Sequence, residues 1–376
     1  MNLLGIHLTL MMGPSVTVPV PFALADSLAA VEVTHTDGRP SGFQLAFQVG
    51  RAGPLDLLDH ALLTNPLLKP FTRVVLVVRF AILPKVLVDG MITQVQLVPS
   101  EEPGSSTLHI TGEDISLMMD LEEEQSAHPA VPDYAIVLQL VKKYARYGLV
   151  PPLPPTNPEP LNPRNPLEER TERPANLTDR AYIEQLARQY GFVFYITPGP
   201  APNVNTVHWG PPERLPVPDG TLSVNMGPAT NVESINFRVD SLLREELTFI
   251  SNGREQTVSE PGAARKAIPL ATNVPEAKRK KFLSDADASR VASRAQGQVD
   301  QAFDKGVEVT GQLDALRYNG LLTPRTIVGL RGAGMTNDGL YYVKSVTHRI
   351  SKGRYTQDFQ LSREGTGTTT PVLPPS

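Results

Sequence analysis

Two stretches of the chain show the same order of apolar runs and turns. The runs lie at 73–80, 91–98 and 106–111 in the first stretch and at 325–331, 340–350 and 355–361 in the second. Asp89-Gly90 and Asp338-Gly339 stand between the first two runs of each stretch. An Asp-Gly pair between alternating apolar runs is a strong β-hairpin signal, because glycine accepts the positive φ that such turns require. The pattern therefore predicts two related three-stranded meanders, one near each end of the chain.

Two meanders of one design predict two related tube-like β-barrel domains in one chain. We assign residues 1–115 to the first barrel and residues 221–365 to the second, with a helix over 284–304 inserted into the second. Residues 366–376 are rich in Thr and Pro, which predicts a flexible tail. The fold class expected is mainly β, with an α+β insertion between the barrels.

The insertion at 116–220 has helical periodicity. Its best-defined helix is predicted from a cap, an apolar face and a terminating glycine. These residues are Thr178 as the N-cap, Asp179 in the first turn, Ile183, Leu186 and Tyr190 on one face, and Gly191 after the last turn. Side-chain oxygens at the N-cap and glycine after the last turn satisfy the unpaired backbone groups of a helix. A strand at 192–197 and a returning strand at 204–209 complete a small α/β module.

Three further segments carry weaker predictions. A helix begins near Asp133, with that residue as its N-cap, and another spans 54–63. The proline-dense segment 151–174 predicts an extended crossing or an exposed loop, because proline cannot continue a helix or a central strand.

The composition is that of an ordinary folded protein of 376 residues, with 40% apolar and 20% charged residues. A net charge of −4 favours neither nucleic acid nor an anionic membrane. The chain has no cysteine, which excludes disulfides and thiolate chemistry. No run of about 20 apolar residues occurs. The apolar start 3–12 has no basic residue before it, so we expect no signal peptide and synthesis in the cytoplasm.

No motif in the sequence predicts a catalytic, cofactor or metal site. The seven histidines are scattered, and no His-Glu-x-x-His occurs. Gly332-Ala-Gly334 is followed by a strand, whereas a dinucleotide fingerprint needs a helix there. The acidic runs 101–102 and 122–124 are typical of solvated segments. We expect no enzymatic activity, a structural or interface role for His348, and a solvated loop at 278–281.

Several segments resemble the hub proteins of phage tails and contractile injection systems, namely the late control protein D family and the N-terminal part of VgrG spike proteins. The strongest resemblance is Leu177-Thr-Asp-Arg-Ala-Tyr-Ile-Glu-Gln-Leu-Ala-Arg-Gln-Tyr-Gly-Phe-Val-Phe-Tyr-Ile196, which is similar to that family's "S/T-D-x-x-F-L-x-x-L-A-x-x-x-G-Y-x-F" segment. The segments 43–47, 136–148 and 339–350 are similar to its opening strand, upstream helix and closing strand. Together they cover about residues 30–365.

The resemblance implies a homotrimer in which six barrels form a pseudo-hexameric ring. Such a ring stacks on a hexameric tail tube protein, contacts other baseplate proteins and holds a trimeric spike protein, here expected to be a separate chain. The turns Asp89-Gly90 and Asp338-Gly339 are then expected at equivalent rim positions. Sequence-specific nucleic-acid binding and a membrane span are not expected. The alternatives are a cell-wall hydrolase and a ligand-binding protein carried by such a particle.

Overall fold

The computed structural model describes most of the chain. The described residues are 2–3, 6–49, 65–80, 83–101, 105–128, 131–154, 171–211, 218–240, 244–251, 253–262, 268–277, 279–283 and 288–369. The predicted helix at 54–63, most of the proline-dense segment and the end of the tail at 370–376 lie outside them.

Most of the described elements are strands. The strands before the module are β1 (Asn2–Leu3), β2 (Ile6–Gly13), β3 (Val18–Pro19), β4 (Leu28–Thr36), β5 (Gly42–Val49), β6 (Arg73–Phe80), β7 (Leu83–Val98) and β8 (Ser106–Asp114). Those of the module are β9 (Ala127–His128), β10 (Leu149–Val150), β11 (Thr171–Glu172), β12 (Val193–Pro198) and β13 (Asn205–Gly210). Those after it are β14 (Pro218–Ser223), β15 (Val232–Val239), β16 (Glu245–Ser251), β17 (Arg254–Val258), β18 (Arg279–Leu283), β19 (Val307–Asp314), β20 (Ile327–Arg331), β21 (Gly339–Ser351) and β22 (Arg354–Arg363).

Helices are few and short. They are α1 (Phe22–Ser27), α2 (Asp133–Lys142), α3 (Asp179–Gln189), α4 (Ala288–Phe303) and α5 (Ala315–Tyr318). No helix in the described part of the chain is long and apolar enough to cross a membrane. The predicted mainly β fold with an α/β module is confirmed.

Two groups of six strands have the same spatial order, and we call them the first and second repeats. The first repeat runs β2-β6-β7-β8-β5-β4, and the second runs β14-β20-β21-β22-β19-β15. When the six strands of each repeat are numbered in chain order, the spatial order of both repeats is 1-4-5-6-3-2. One difference is that β2 is antiparallel to β6, whereas β14 is parallel to β20.

Side chains alternate between more and less buried along several strands, which gives part of each repeat one apolar and one polar face. In β5, Phe43, Leu45 and Phe47 are buried while Gln44 and Gln48 are exposed. Strands with period-two alternation bury one face of a sheet. The buried face of the β8-β5-β4 part packs against β2 and β6 in one core. The strand order is an open path in the described residues, so the predicted tube-like β-barrels take the form of sheets that fold over on themselves without closing there.

The second repeat carries an inserted unit between β15 and β19. The helix predicted over 284–304 is present as α4, and the described residues place it beside strands. The structure shows a three-stranded sheet, β17-β16-β18, covered by α4. The prediction of a solvated loop at 278–281 is wrong from Arg279 onward, because these residues form β18. Lys280 and Lys281 pair with Glu246 and Glu245 of the neighbouring strand β16, which explains basic side chains in an exposed strand.

Two local predictions are also wrong. Asp133 lies inside α2 and not at its cap, which is Pro132 with no side-chain hydrogen bond. The Asp133 carboxylate instead accepts a hydrogen bond of 2.6 Å from the hydroxyl of Tyr190, the residue after α3. The first residues of the predicted flexible tail are held in place, because the Thr366 and Asn273 backbones exchange two hydrogen bonds.

Candidate functional site

The two repeats are joined into one sheet by strands β4 and β21. These strands are antiparallel and paired from Thr36–Ser345 to Ala30–Ser351. The pairing continues the hydrogen-bonded sheet from one repeat to the other without a break. We call this pairing the internal joint and take it as the candidate functional site.

Buried histidines lie on the apolar face of the internal joint. The rings of His35 on β4 and His348 on β21 contact each other edge to face, with centroids 5.7 Å apart. His35 Nδ1 lies 2.9 Å from the Ser41 hydroxyl, and His348 Nδ1 lies 3.1 Å from the Tyr355 hydroxyl. Burial, and secondarily the charge of Arg325, lower the pKa of His35 to about 4. Burial also holds the pKa of His348 well below its usual value, so both rings are neutral near pH 7.

The opposite face of the internal joint is polar and uncovered. Across the joint, the hydroxyls of Thr34 and Thr347 are 3.0 Å apart. Arg349 donates to Glu32 at 2.5 Å and to Asp358 at 2.7 Å. A groove of about 520 Å³ follows this face from His109 on β8 across to Gln312 on β19. This face is therefore concave, hydrophilic and charge-paired, and we call it the bare face.

Arg325 braces the internal joint from the side. Its guanidinium donates to the Thr36 carbonyl at 3.1 Å, lies 3.4 Å from the Asp37 carboxylate and stacks 3.6 Å from the centre of the Tyr195 ring. Tyr195 belongs to β12, so this one side chain connects the second repeat to both the first repeat and the α/β module. A mostly apolar cleft of about 480 Å³ lies behind the joint and is lined by these three units.

Two register shifts occur at equivalent places in the two repeats. In the β7–β8 pair the register shifts between Ile92 and Gln94, and in the β21–β22 pair it shifts between Val343 and Ser345. A second shift occurs in the other strands, between Leu28 and Ala30 and between Val232 and Ser234. A bulge places one extra residue at a fixed point of a strand. The bulges therefore align Val95 with Val346, Leu97 with His348, His35 with Val239 and Val33 with Phe237.

The loop before the meander is repeated as well. Leu67-Leu-Lys-Pro-Phe-Thr-Arg-Val-Val-Leu76 and Leu321-Leu-Thr-Pro-Arg-Thr-Ile-Val-Gly-Leu330 share Leu, Leu, Pro, Thr, Val and Leu at the same places. Phe71 and Arg325 both have positive φ, at 63° and 70°. Each donates its backbone N–H to the strand residue before the bulge, Ile92 or Val343. This repeated loop is a stronger sequence signal of the duplication than the Asp-Gly pairs, and the prediction of two meanders did not use it.

The hairpin turn predicted at Asp89-Gly90 is wrong. Both residues lie within β7, which runs unbroken from Leu83 to Val98. Asp89 is buried and forms a two-pronged ion pair with Arg73, both bonds measuring 2.7 Å. Arg73 also donates to the carbonyls of Ser15 and Tyr147, and Asn205 donates to Asp89. This buried cluster ties the first repeat to the α/β module.

Gly90 is required for a close approach rather than for a turn. A Cβ atom at this position would lie 2.2 Å from the Glu113 carbonyl oxygen on β8. By the bulge alignment, Asp89 and Gly90 correspond to Leu340 and Tyr341, and so not to the other Asp-Gly pair. Asp338 and Gly339 do end the loop between β20 and β21, where the Asp338 carboxylate accepts from the Ala333 N–H at 2.7 Å.

The predicted helix of the α/β module is present as α3. Thr178 caps it by accepting from the Ala181 N–H at 3.1 Å, and Gly191 follows its end with φ 67°. The predicted inward face is buried, comprising Ile183, Leu186 and Tyr190. Asp179 is buried too, since it pairs with Arg173 at 2.5 Å and accepts from the Tyr144 hydroxyl at 2.9 Å. Trp209 packs inside this module, not between it and a repeat.

The fold matches solved structures of tail and secretion proteins. A tail protein from Neisseria meningitidis MC58 aligns with a TM-score of 0.64 at 14% identity, covering 96% of this chain and 97% of that one. The 43 kDa tail protein of prophage MuSo2 from Shewanella oneidensis gives 0.58 at 12% identity, covering 95% and 97%. An E. coli protein, described as a type VI secretion system component structurally similar to the T4 tail proteins gp27 and gp5, gives 0.54 at 11% identity, covering 93% and 77%. No family profile and no curated protein matches the sequence. The chain thus has the fold of phage tail and type VI secretion proteins.

Proposed function

We propose that the chain is a structural baseplate hub of a contractile tail or injection particle, and that it works mechanically and not as an enzyme. The observation that carries this proposal is the internal joint, which extends one sheet through two equivalent repeats of a single chain. Two equivalent repeats in one chain give an oligomer twice as many similar units as it has chains, which suits a ring-building protein. The fold shared with tail proteins supports the same function.

The duplication suits a change of symmetry. Closed homo-oligomers have rotational symmetry, and a ring of three chains with two equivalent repeats each presents six similar units. A homotrimer would therefore match a hexameric tail tube protein on one side and a trimeric spike protein on the other.

The two ends of the sheet differ in the way this function requires. At one end, β7 is connected to β8 by residues 99–105 and β21 to β22 by residues 352–353, so both connections are short. At the other end lie the α/β module, which follows β8, and the inserted unit between β15 and β19; each occurs once per chain. A trimer would present six similar turns at the first end and three copies of each added unit at the second. We assign the first end to the tube and the second to the spike.

The bare face is suited to the inner wall of a channel. Its charged side chains are paired with each other, as in Arg349 with Glu32, Arg354 with Glu233 and Lys344 with Glu308. The other face of the first repeat is covered by β2 and β6. In a closed ring, the outer of two layers has the larger circumference. We therefore assign the layer formed by β2 and β6 to the outside of the ring and the bare face to the inside.

The test is assembly with the proteins encoded beside this one. The chain is co-expressed with the neighbouring tube and spike proteins, and the complex is analysed by light scattering and electron microscopy. We expect a particle with three copies of this 40.9 kDa chain and a six-fold tube on one side. A stable monomer that binds neither protein would refute the hub function. A clear zone on a peptidoglycan zymogram would instead support the hydrolase alternative.

A further inference from the structure

In the described part of the chain, two open edges of the sheet belong to strands that correspond to those of the internal joint. The outer half of β7, over 94–98, pairs with β8 on one side and with no described strand on the other. At the far end of the sheet, β15 pairs with β19 alone. Open strand edges template pairing with another chain unless they are covered.

Apolar side chains at both edges are exposed where their counterparts in the internal joint are buried. Val95 and Leu97 are 36% and 41% exposed, whereas the corresponding Val346 and His348 are buried. On the other edge, Val239 is 55% exposed, whereas the corresponding His35 is buried. Both edges therefore lack the covering strand that the internal joint supplies.

Each open edge corresponds to one half of the internal joint. The outer half of β7 corresponds to the part of β21 that pairs with β4, and β15 corresponds to β4 itself. Within one copy, six strands separate the two edges in the order β7-β8-β5-β4-β21-β22-β19-β15, so each edge is free to pair with another copy. Such a head-to-tail contact joins successive copies and closes into a ring when the rotation permits.

We propose that β7 of one copy pairs with β15 of the next copy, in the register of the internal joint. This inference rests on the proposed hub function and specifies the contact that closes its ring. Transfer of the observed register pairs Val95 with Val239, Leu97 with Phe237 and Gln96 with Arg238.

The transferred register is chemically consistent on both faces. Val95, Leu97, Phe237 and Val239 lie together on the apolar face, where cross-strand aromatic and β-branched pairs stabilise a sheet. On the bare face, the Gln96 amide oxygen accepts from Arg238, and the Gln94 amide donates to Asp240. No like charges face each other across this contact.

Phe71 supplies a second contact at the same place. It is 55% exposed, and it corresponds to Arg325, which crosses the internal joint to Thr36 and Asp37. In the ring, Phe71 therefore lies over the end of β15 of the next copy, near Asp240. An exposed aromatic side chain on a backbone of positive φ is costly in a free monomer and is explained by a contact of this kind.

Disulfide trapping tests the register directly, because the natural chain has no cysteine. Paired positions of antiparallel strands have Cβ atoms about 4.5–5.5 Å apart, close enough for a disulfide after a small adjustment. The double variant Val95→Cys/Val239→Cys is oxidised in the assembled complex and run on a non-reducing gel. We expect covalent dimers and trimers that reducing agent removes. A mixture of the two single variants should give disulfide-linked dimers only.

The control is Val95→Cys/Ile235→Cys, which lies four residues out of register, or about 13 Å along the strand. Equal trapping of this control would overturn the proposed register. A particle that contains three copies but gives no trapped product would overturn the proposed contact and leave the hub function standing. A chain that stays monomeric with tube and spike proteins present would overturn both.

Discussion

At the scale of single residues, buried polar groups mark the places where parts of the molecule meet. Arg73 and Asp89 lie between the first repeat and the α/β module, and His35 and His348 lie between the two repeats. Buried charges are retained only with full hydrogen bonding, because desolvation is costly. These residues therefore fix the relative positions of the units.

Asp89→Asn is expected to destabilise the fold strongly. It leaves the fully buried Arg73 without a counter-ion, and breaking one side of a buried pair costs about 3–5 kcal/mol. Urea unfolding followed by circular dichroism measures this. The double variant Arg73→Met/Asp89→Leu removes both charges and should cost less than the single change. A larger loss in the double variant would contradict this explanation.

Stability should fall as the pH falls from about 6.5 to about 4 because of His35 and His348. Burial lowers the pKa of His35 to about 4, below its unfolded value of 6.5. As the pH falls, the unfolded state therefore takes up protons at a higher pH than the folded state does. The contribution of these histidines to the free energy of unfolding is fully present above pH 6.5 and is lost as the pH approaches 4. The loss from His35 alone is of the order of 3 kcal/mol. The charge of Arg325 adds to the effect of burial, because it also lowers the pKa of His35.

The proposed contact between copies suggests the control, because Val239 and Leu97 occupy the positions that correspond to His35 and His348 of the internal joint. The variant His35→Val/His348→Leu should lose less stability between pH 7 and pH 4.5 than the natural chain, measured by urea unfolding at each pH. Identical losses would show that other groups cause the acid sensitivity.

At the scale of elements, the sequence predicted types of structure better than connections. Strands with alternating side chains and the capped helix α3 were predicted correctly, because period and caps are local. The Asp89-Gly90 turn was wrong because close packing against Glu113 requires glycine inside a strand, and packing between distant strands leaves no local signal. The internal joint could not be predicted, since it pairs residues about 310 positions apart in the chain.

Gly90→Ala tests the packing explanation. The added methyl group would lie 2.2 Å from the Glu113 carbonyl oxygen, so the strands must separate. We expect a loss of about 1–3 kcal/mol of unfolding free energy, the usual cost of overpacking. Gly42→Ala in the same sheet is the matched control, because its new methyl group would meet nothing closer than 3.8 Å. Equal losses for the two variants would indicate that a general effect of glycine replacement, not the close approach, is responsible.

At the scale of the whole molecule, one duplicated sheet accounts for the fold and for the proposed ring. The internal joint shows how two repeats meet, and the open edges of β7 and β15 present the same two halves again. The joints differ in chemistry, since histidines occupy the apolar face of one and aliphatic residues that of the other. We therefore expect the internal joint to be acid-sensitive and the proposed contact between copies to lack this source of acid sensitivity.

Phe71→Ala should weaken association between copies while leaving the fold of each copy intact. The side chain is 55% exposed in one chain, so its loss removes little packing there, but it would be covered by the next copy in the ring. Truncation of a buried aromatic anchor costs about 2 kcal/mol or more of binding free energy, or at least a 30-fold weaker association. Light scattering across a concentration series measures the change, with thermal unfolding as the check on the fold. Phe22→Ala is the control, since Phe22 is 84% exposed and lies on α1, outside both open edges. Equal weakening by both variants would mean that exposed aromatic residues promote association without regard to position. The proposed contact of Phe71 with the next copy would then be wrong.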